Sequence, residues 1–301
     1  MILCCGEALI DMLPRQSEAD EPCFAPHAGG SVFNTSVALG RLGAPVQFFS
    51  GIAADMFGDI LRAELDASGV DSTPCALCDR PSTLAFVKLV NGHASYAFYD
   101  ENSAGRMLTP VDLPEDTPEA LFFGGISLVV EPCGTAYETL MLREAPHKLT
   151  MIDPNIRPSF ITDEAAYRAR LGRMLNAADI IKTSDEDLTW ITGGTNVTSL
   201  FDNASTQVVL LTRGSEGVTI YTPETSFDVP AMKADVVDTV GAGDTFSAGF
   251  LAQMHKNGHL TKGNLPQATT TDLKDAAAFG AKVAAITVSR AGANPPWAAE
   301  L

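Results

Sequence analysis

Asp238-Thr239-Val240-Gly241-Ala242-Gly243-Asp244-Thr245-Phe246 places two glycines at the mouth of a helix. Upstream, the residues from Ala234 read as a short strand. Downstream, Phe246, Phe250 and Met254 recur at i, i+4 and i+8 along one helical stripe. Glycines at a helix entrance leave its first N–H groups bare at the positive end of the macrodipole. That is an anion site needing no cationic side chain. Two commoner phosphate loops are excluded. No Gly-Lys-Ser/Thr occurs anywhere, and Phe246 stands where the dinucleotide fingerprint requires a third small residue. What remains is Gly-x-Gly followed by an acid. Asp244 either merely complements the dipole or serves a reaction, for a carboxylate there otherwise repels the anion. It is well placed to take a proton from an attacking hydroxyl. The dipole is expected to lower its pKa, which phosphoryl transfer tolerates because the proton can move late.

A second glycine-rich helix start lies far upstream, at Ala28-Gly29-Gly30-Ser31-Val32-Phe33-Asn34. Paired glycines permit close approach of a ligand to the backbone, and Asn34, one turn in, offers a donor and an acceptor. Gly6-Glu7-Ala8-Leu9-Ile10-Asp11 ends a strand with an acid. Strand-end acid and helix-start amide together make a set that reads hydroxyl groups.

Between these segments, apolar runs of strand length alternate with helical patterns. Strands are expected at 2–10, 46–52, 121–123, 149–152, 180–181 and 208–211. Helices are expected at 31–42, 56–68 (capped by Asp55, stopped by Gly69), 135–144, 164–176, from 185, at 244–256 and at 272–287. This order predicts an α/β fold with a mainly parallel sheet covered on both faces. One stretch departs from it. Thr83–Val90 and Ala94–Tyr99 flank Asn91-Gly92, a strong hairpin signal, and the ring residues of 95–99 fall at both parities. An accessory flap is expected here, joined by the Pro- and charge-rich 12–27; an antiparallel edge of the main sheet is the alternative.

Composition narrows the partners. Lys and Arg number 20 against 37 Asp and Glu across 301 residues, a net charge of −17. That argues against nucleic acid and against anionic membrane surfaces. The first residues lack a basic leader, no apolar stretch is long enough to span a bilayer, and six cysteines form no dense framework. A cytoplasmic location is expected. Cys75 and Cys78 have metal-ligand spacing without a second pair and read as two unlinked thiols on a strand. His255 and His259 read as a solvated helix end. The sequons at Asn34, Asn196 and Asn203 carry no meaning in that compartment.

The two glycine-rich segments together resemble the signature motifs of the ribokinase-like (PfkB) carbohydrate kinases, and the resemblance runs from Gly6-Glu7 to Gly292. It implies a ribokinase-like three-layer α/β/α fold. One domain would span 1–301, with a small β lid inserted from about 12–28 and 81–105. By the resemblance Asp244 is the catalytic base, and the Gly241, Ala242 and Gly243 amides are the anion hole for the transferred phosphoryl. Asp11, Gly29, Gly30, Asn34 and Tyr99 line the sugar site. Lys182, Ser184, Thr212, Gly214 and Gly217 serve ATP. The family's Asn-x-x-Glu, which organises Mg2+ through water, is here Ser184 with Asp187, one methylene short, which argues against a direct metal role. Asp238, with Val240, Thr287, Arg290 and Gly292, corresponds to the loop that binds K+ in many members. Family members often dimerise through their lids; Tyr96 and Phe98 suit a homodimer or a cover for the sugar.

Asp153-Pro154-Asn155-Ile156-Arg157-Pro158 resembles the motif of fructokinases and 2-keto-3-deoxygluconate kinases. Arg157 can bind a carboxylate or hydroxyls and leaves that choice open. The acids Asp100 and Glu101 after Tyr99 are expected to repel a sugar acid, and fructose is therefore the expected acceptor. Glu131 stands either at the sugar or on the surface. The alternatives are a 2-keto-3-deoxygluconate or nucleoside kinase of the same fold, and a non-catalytic sugar-binding regulator, which would be expected to lose Asp244.

Overall fold

The computed structural model describes residues 1–90, 93–202 and 205–301, with the side chains of 88–90 and 93–96 left aside. Its strands are β1 (Ile2–Cys5), β2 (Leu9–Gln16), β3 (Pro22–Gly29), β4 (Val46–Phe49), β5 (Gly51–Ala53), β6 (Ala76–Cys78), β7 (Leu84–Val90), β8 (His93–Tyr99), β9 (Ala120–Gly124), β10 (Leu149–Asp153), β11 (Ile180–Ser184), β12 (Val208–Thr212), β13 (Val218–Tyr221) and β14 (Ser226–Val229). Its helices are α1 (Ser31–Arg41), α2 (Met56–Ala67), α3 (Cys133–Glu144), α4 (Glu164–Ala177), α5 (Asp185–Thr192), α6 (Ala242–Lys256) and α7 (Thr270–Val288).

Period-two alternation builds the layers. Ile2 and Cys4 of β1, Phe122 of β9 and Leu210 of β12 pack with α1, α2, α6 and α7. Their neighbours Leu3, Cys5, Phe123 and Leu211 pack on the opposite face with α3, α4 and α5. Both faces are apolar because both are covered, which is why these strands read as continuous hydrophobic runs. The main sheet has the order β14-β13-β12-β11-β10-β9-β1-β4, parallel from β12 through β4 and antiparallel across β13 and β14. Close packing joins α6 to α7: a Cβ on Gly249 would lie 2.7 Å from the Gly280 Cα. No helix among the described residues is long and apolar enough to cross a membrane.

Two expected strands are each broken in two. The run from Ile2 to Ile10 leaves the main sheet at Gly6, where any side chain would collide with Val32, and re-enters as β2 of a second sheet. The run from Val46 to Ile52 divides at Ser50. The segment before Gly241 is irregular, not a strand. The β13–β14 hairpin had no expectation. Met12 to His27 does join the flap strands: the second sheet is β3-β2-β7-β8, with β2 parallel to β7. The hairpin turn expected at Asn91-Gly92 lies outside the described residues, as does Asn203. Cys78 ends β6, and the Cys75 thiol donates to the Phe48 carbonyl. His259, beyond the end of α6, meets Asp272 at 3.4 Å.

Candidate active site

The carboxyl ends of the parallel strands and the starts of α1, α5 and α6 converge. Gly241 caps α6 in the left-handed region (φ 77°), a conformation that frees the first amides of the helix to face outward. The Ala242 amide bonds the Thr239 carbonyl at 3.3 Å, whereas no backbone oxygen among the described residues accepts from Gly241, Gly243 or Asp244. The bare cradle is therefore Gly241, Gly243 and Asp244, shifted from the expected Gly241, Ala242 and Gly243. A cation also stands beside it. The Lys182 ammonium is 3.0 Å from where a Gly243 Cβ would lie, and it pairs with Asp153 Oδ2 at 2.7 Å. Burial pulls the Lys182 pKa down, but Asp153, Asp187 and Asp244 outweigh it and hold the pKa above its ordinary value.

Asp244 is buried and fully partnered. Ser31 Oγ donates to Oδ1 at 2.8 Å and Asn34 Nδ2 to Oδ2 at 2.9 Å. Its pKa runs opposite to the expected direction. Burial pushes it up to about 6, against the lowering effect of the Asn34 and Ser31 hydrogen bonds. Desolvation outweighs the helix end because water is excluded from both oxygens. A carboxylate titrating near neutrality is a better general base than an exposed one.

Around the start of α1, Gly30 is held to glycine by its backbone and Gly29 leaves room for the Asp11 side chain. A Cβ on Gly29 would fall on Asp11 Oδ2, and Gly30 takes φ 113° against the Glu7 backbone. Burial pushes Asp11 up to about 6 as well. Parity in the second sheet separates the rings. Asp11 pairs with Ala85 and Ala85 with Phe98, so these share a face. Phe98 stacks edge-on against Phe160 at 4.9 Å. Tyr99 lies on the other face with Phe86 (5.4 Å) and is 63% exposed, so the structure does not bring it to Asp11; Phe98 takes that place.

Thr212, Gly214 and Gly217 line a cleft of about 810 Å³ that extends between Met232 and Ala284 to Gly243. Its walls are largely apolar and its inner end is the α6 amides, an arrangement suited to a flat base and a polyphosphate. Ser184 does not line this cleft; it caps α5, accepting from the Asp187 amide at 3.0 Å. Asp187 Oδ1 accepts the Ile156 amide at 3.2 Å. Arg157 is exposed and donates to its neighbour's carbonyl, that of Ile156, at 3.0 Å. Asp238 is 54 positions from Gly292 yet joins it, accepting the amides of Val240 (3.0 Å) and Gly292 (2.9 Å). Thr287 and Gly292 carbonyls accept from Arg290 and Asn294. Asp100, expected to repel a sugar acid, pairs with Arg106 at 3.0 Å, an opposite charge that offsets its repulsion. Glu131 binds Arg170 and the start of α3, which makes it structural.

Four residues had no assigned role and stand at the site: Glu7, Ser31, Asp153 and Asn155. Glu7 is buried and accepts the Ser31 (2.8 Å) and Ser127 (3.3 Å) amides. Burial raises its pKa despite those bonds. Glu7 and Asp153 stand at or just beyond the carboxyl ends of β1 and β10, where open α/β sheets bind ligands, and this position is the signal that marks them.

Residues 1–300 match the pfkB family carbohydrate kinase profile. A fructokinase of Rhizobium leguminosarum bv. trifolii is 55% identical over 267 residues, covering 87% of this chain and 82% of that one. Probable fructokinase-6, chloroplastic, of Arabidopsis thaliana is 33% identical over 98% of this chain and 79% of its own length. The crystal structure of a Xylella fastidiosa fructokinase with bound ATP superposes with a TM-score of 0.90 at 28% identity, covering 97% of this chain and 93% of that one. With glycine amides, a buried carboxylate and an apolar cleft meeting at one sheet edge of a ribokinase-like three-layer fold, the chain belongs to the pfkB family of carbohydrate kinases.

Proposed function

We propose that this kinase transfers the γ-phosphoryl of ATP to a primary hydroxyl of fructose, giving fructose 6-phosphate. The observation that carries the reaction type is Asp244. It is a buried carboxylate with a pKa near 6, in the first turn of α6 beside unpaired amides and Lys182. The sugar rests on the Phe98 side of the second sheet, between Asp11, the Gly29-Gly30 backbone and Asn34. ATP lies in the 810 Å³ cleft with its phosphates toward Gly243. The hydroxyl gives its proton to Asp244 as its oxygen attacks the γ-phosphorus in line, and the bond from that phosphorus to the bridging oxygen breaks to release ADP. The Gly241, Gly243 and Asp244 amides and the Lys182 ammonium stabilise the charge on the transferring group. Fructose as acceptor rests on the fructokinase relatives.

We treat residues 1–301 as one kinase domain whose lid is the second sheet, drawn from about 12–28 and 81–105. Closing over the sugar, it excludes water that would otherwise hydrolyse ATP. Phe98 packs on Phe160 of its own chain, which favours a covering role over a dimer contact. Mg2+ enters with ATP as part of the substrate; Asp187, committed to the Ile156 amide, does not fit a resident ligand. The Asp238 loop spends its carboxylate and two of its carbonyls on its own amides, so K+ receives no step.

A coupled ADP-release assay over fructose, glucose, ribose, 2-keto-3-deoxygluconate and adenosine tests the acceptor. The highest kcat/KM is expected with fructose. Preference for the sugar acid or the nucleoside overturns the assignment. Absence of turnover with every member, in a chain that still binds sugar, would mark a binding regulator.

A further inference from the structure

The bonds around Asp244 form a directed chain that begins well away from it. Asn155 holds a left-handed backbone (φ 45°), a conformation that asparagine tolerates better than most residues. The next amide, Ile156 N–H, donates to Asp187 Oδ1 at 3.2 Å, and Asp187 is anchored in turn by the Ser184 cap of α5. From that backbone Asn155 Nδ2 reaches Ser31 Oγ at 2.7 Å and Asp244 Oδ1 at 3.4 Å. Ser31 Oγ donates its proton to Asp244, so it must accept from Asn155; only one orientation of the Asn155 amide satisfies both. The backbone N–H of Ser31 is fixed independently by Glu7.

We propose that Asp187, Asn155 and Ser31 are a positioning relay for the catalytic carboxylate. The start of α5 sets the Asn155 backbone, Asn155 sets the Ser31 hydroxyl, and Ser31 aims Asp244 Oδ1. This gives the short acid at 187 a task, holding a backbone amide, that differs from organising a metal ion. The proposal rests on the assignment of Asp244 as the base. The groups facing Asp244 are Ser31 and Asn34 from α1, Asn155 after β10, Asp153 at the end of β10 and Lys182 on β11. The relay supplies neutral donors that favour the charged form, so its removal moves the acid limb upward.

The test compares Ser31→Ala, Ser31→Thr, Asn155→Ala, Asp187→Ala and Asp187→Asn in the full-length enzyme, with fructose and MgATP. Loss of one hydrogen bond to a charged group predicts a roughly ten- to hundredfold fall in kcat for Ser31→Ala and Asn155→Ala. The KM for ATP should stay within about twofold, and the acid limb of kcat should rise by on the order of one pH unit. Ser31→Thr, which keeps the hydroxyl, should restore most of the rate. Asp187→Asn keeps an acceptor for the Ile156 amide and should retain both the rate and the Mg2+ requirement; Asp187→Ala should resemble Asn155→Ala. If Asp187→Ala does not fold, Asp187→Asn and Asn155→Ala still decide. An unmoved pH profile in Asn155→Ala overturns the relay, as does a raised Mg2+ requirement in Asp187→Asn. Asp244→Asn separates the two ideas. Near-normal turnover there removes the base itself, whereas an inactive Asp244→Asn beside unaffected Ser31 and Asn155 variants removes only the relay.

Discussion

Replacing Asp244 by Asn should make the enzyme almost inactive and, at neutral pH, more stable. The carboxyl moves from an ordinary 3.8 to about 6 on burial. A shift of about two units costs the folded state about 3 kcal/mol once the group is ionised. The sign follows from the raised folded pKa. Below 3.8 the group is protonated whether folded or not and no penalty applies. The penalty grows between 3.8 and about 6 and is complete above that. Asn is neutral, keeps an acceptor for Ser31 and carries no such penalty, though it loses the attraction to Lys182 and requires Asn34 to turn its amide oxygen, not its Nδ2, toward the new side chain. A net gain of about 2 kcal/mol is expected at pH 7.5, or a Tm higher by on the order of 5 °C in a domain of this size. The kcat should fall by about 10² to 10⁴, the range that general-base removal produces. Thermal melts at pH 7.5 and 4.5, with kcat measured at pH 7.5, check all of this. The Tm advantage should shrink toward zero at the lower pH. An Asn variant that melts at or below the parent at pH 7.5, or whose advantage ignores pH, refutes the account of Asp244 as a desolvated, ionised base.

Gly29→Ala places a methyl group where Asp11 Oδ2 now sits, and it should raise the KM for fructose by about ten- to a hundredfold while leaving that for ATP unchanged. Initial-rate measurements varying each substrate separate the two. Asp55 accepts from Phe57 and Gly58 at the start of α2 and from both donors of Ser82, so Asp55→Ala should cost about 2 kcal/mol in urea unfolding. Burial alone would raise the Asp55 pKa, but these bonds from Gly58, Ser82 and Phe57 bring it below 3.8. Its contribution is therefore present at neutral pH and lost as the pH falls through the folded value, and the difference from Ala should vanish in acid. Gly249→Val forces α6 from α7, where Gly280 lies 2.7 Å from the new Cβ, and should cost about 3 kcal/mol by the same measurement.

The alternation of buried strands and helices was legible because strands covered on both faces leave unbroken apolar runs. The start of α6 was legible because Gly241 caps it in the left-handed region, which favours glycine. Four features were not. The direction of the Asp244 shift depends on burial by groups on α1, more than two hundred positions away, whereas the helix end that suggested the opposite is local. The choice between Tyr99 and Phe98 depends on the register of β8 against β7, and rings at both parities leave that open. The β13–β14 hairpin escaped notice because each strand has only four residues and β14 carries exposed polar positions. The pairing of Lys182 with Asp153 spans 29 positions, and only the parallel alignment of β10 with β11 brings them together.

The chain crosses between the two larger sheets four times, at Gly6-Glu7-Ala8, at Gly30, between β4 and β7 by way of β5 and β6, and between β8 and β9. Asp11 belongs to one sheet, while Asn34 and Asp244 are fixed to the other. In the proposed sugar site, the spacing of the contacts follows the angle of the joint that these crossings form. A ligand long enough to bridge that joint sets the angle by binding, and a shorter one leaves it free. Molecular size is then measured by the position of a whole layer, with no dedicated pocket wall required. Crowding at Glu7 or Gly30, where two of these crossings lie, would alter which lengths are accepted.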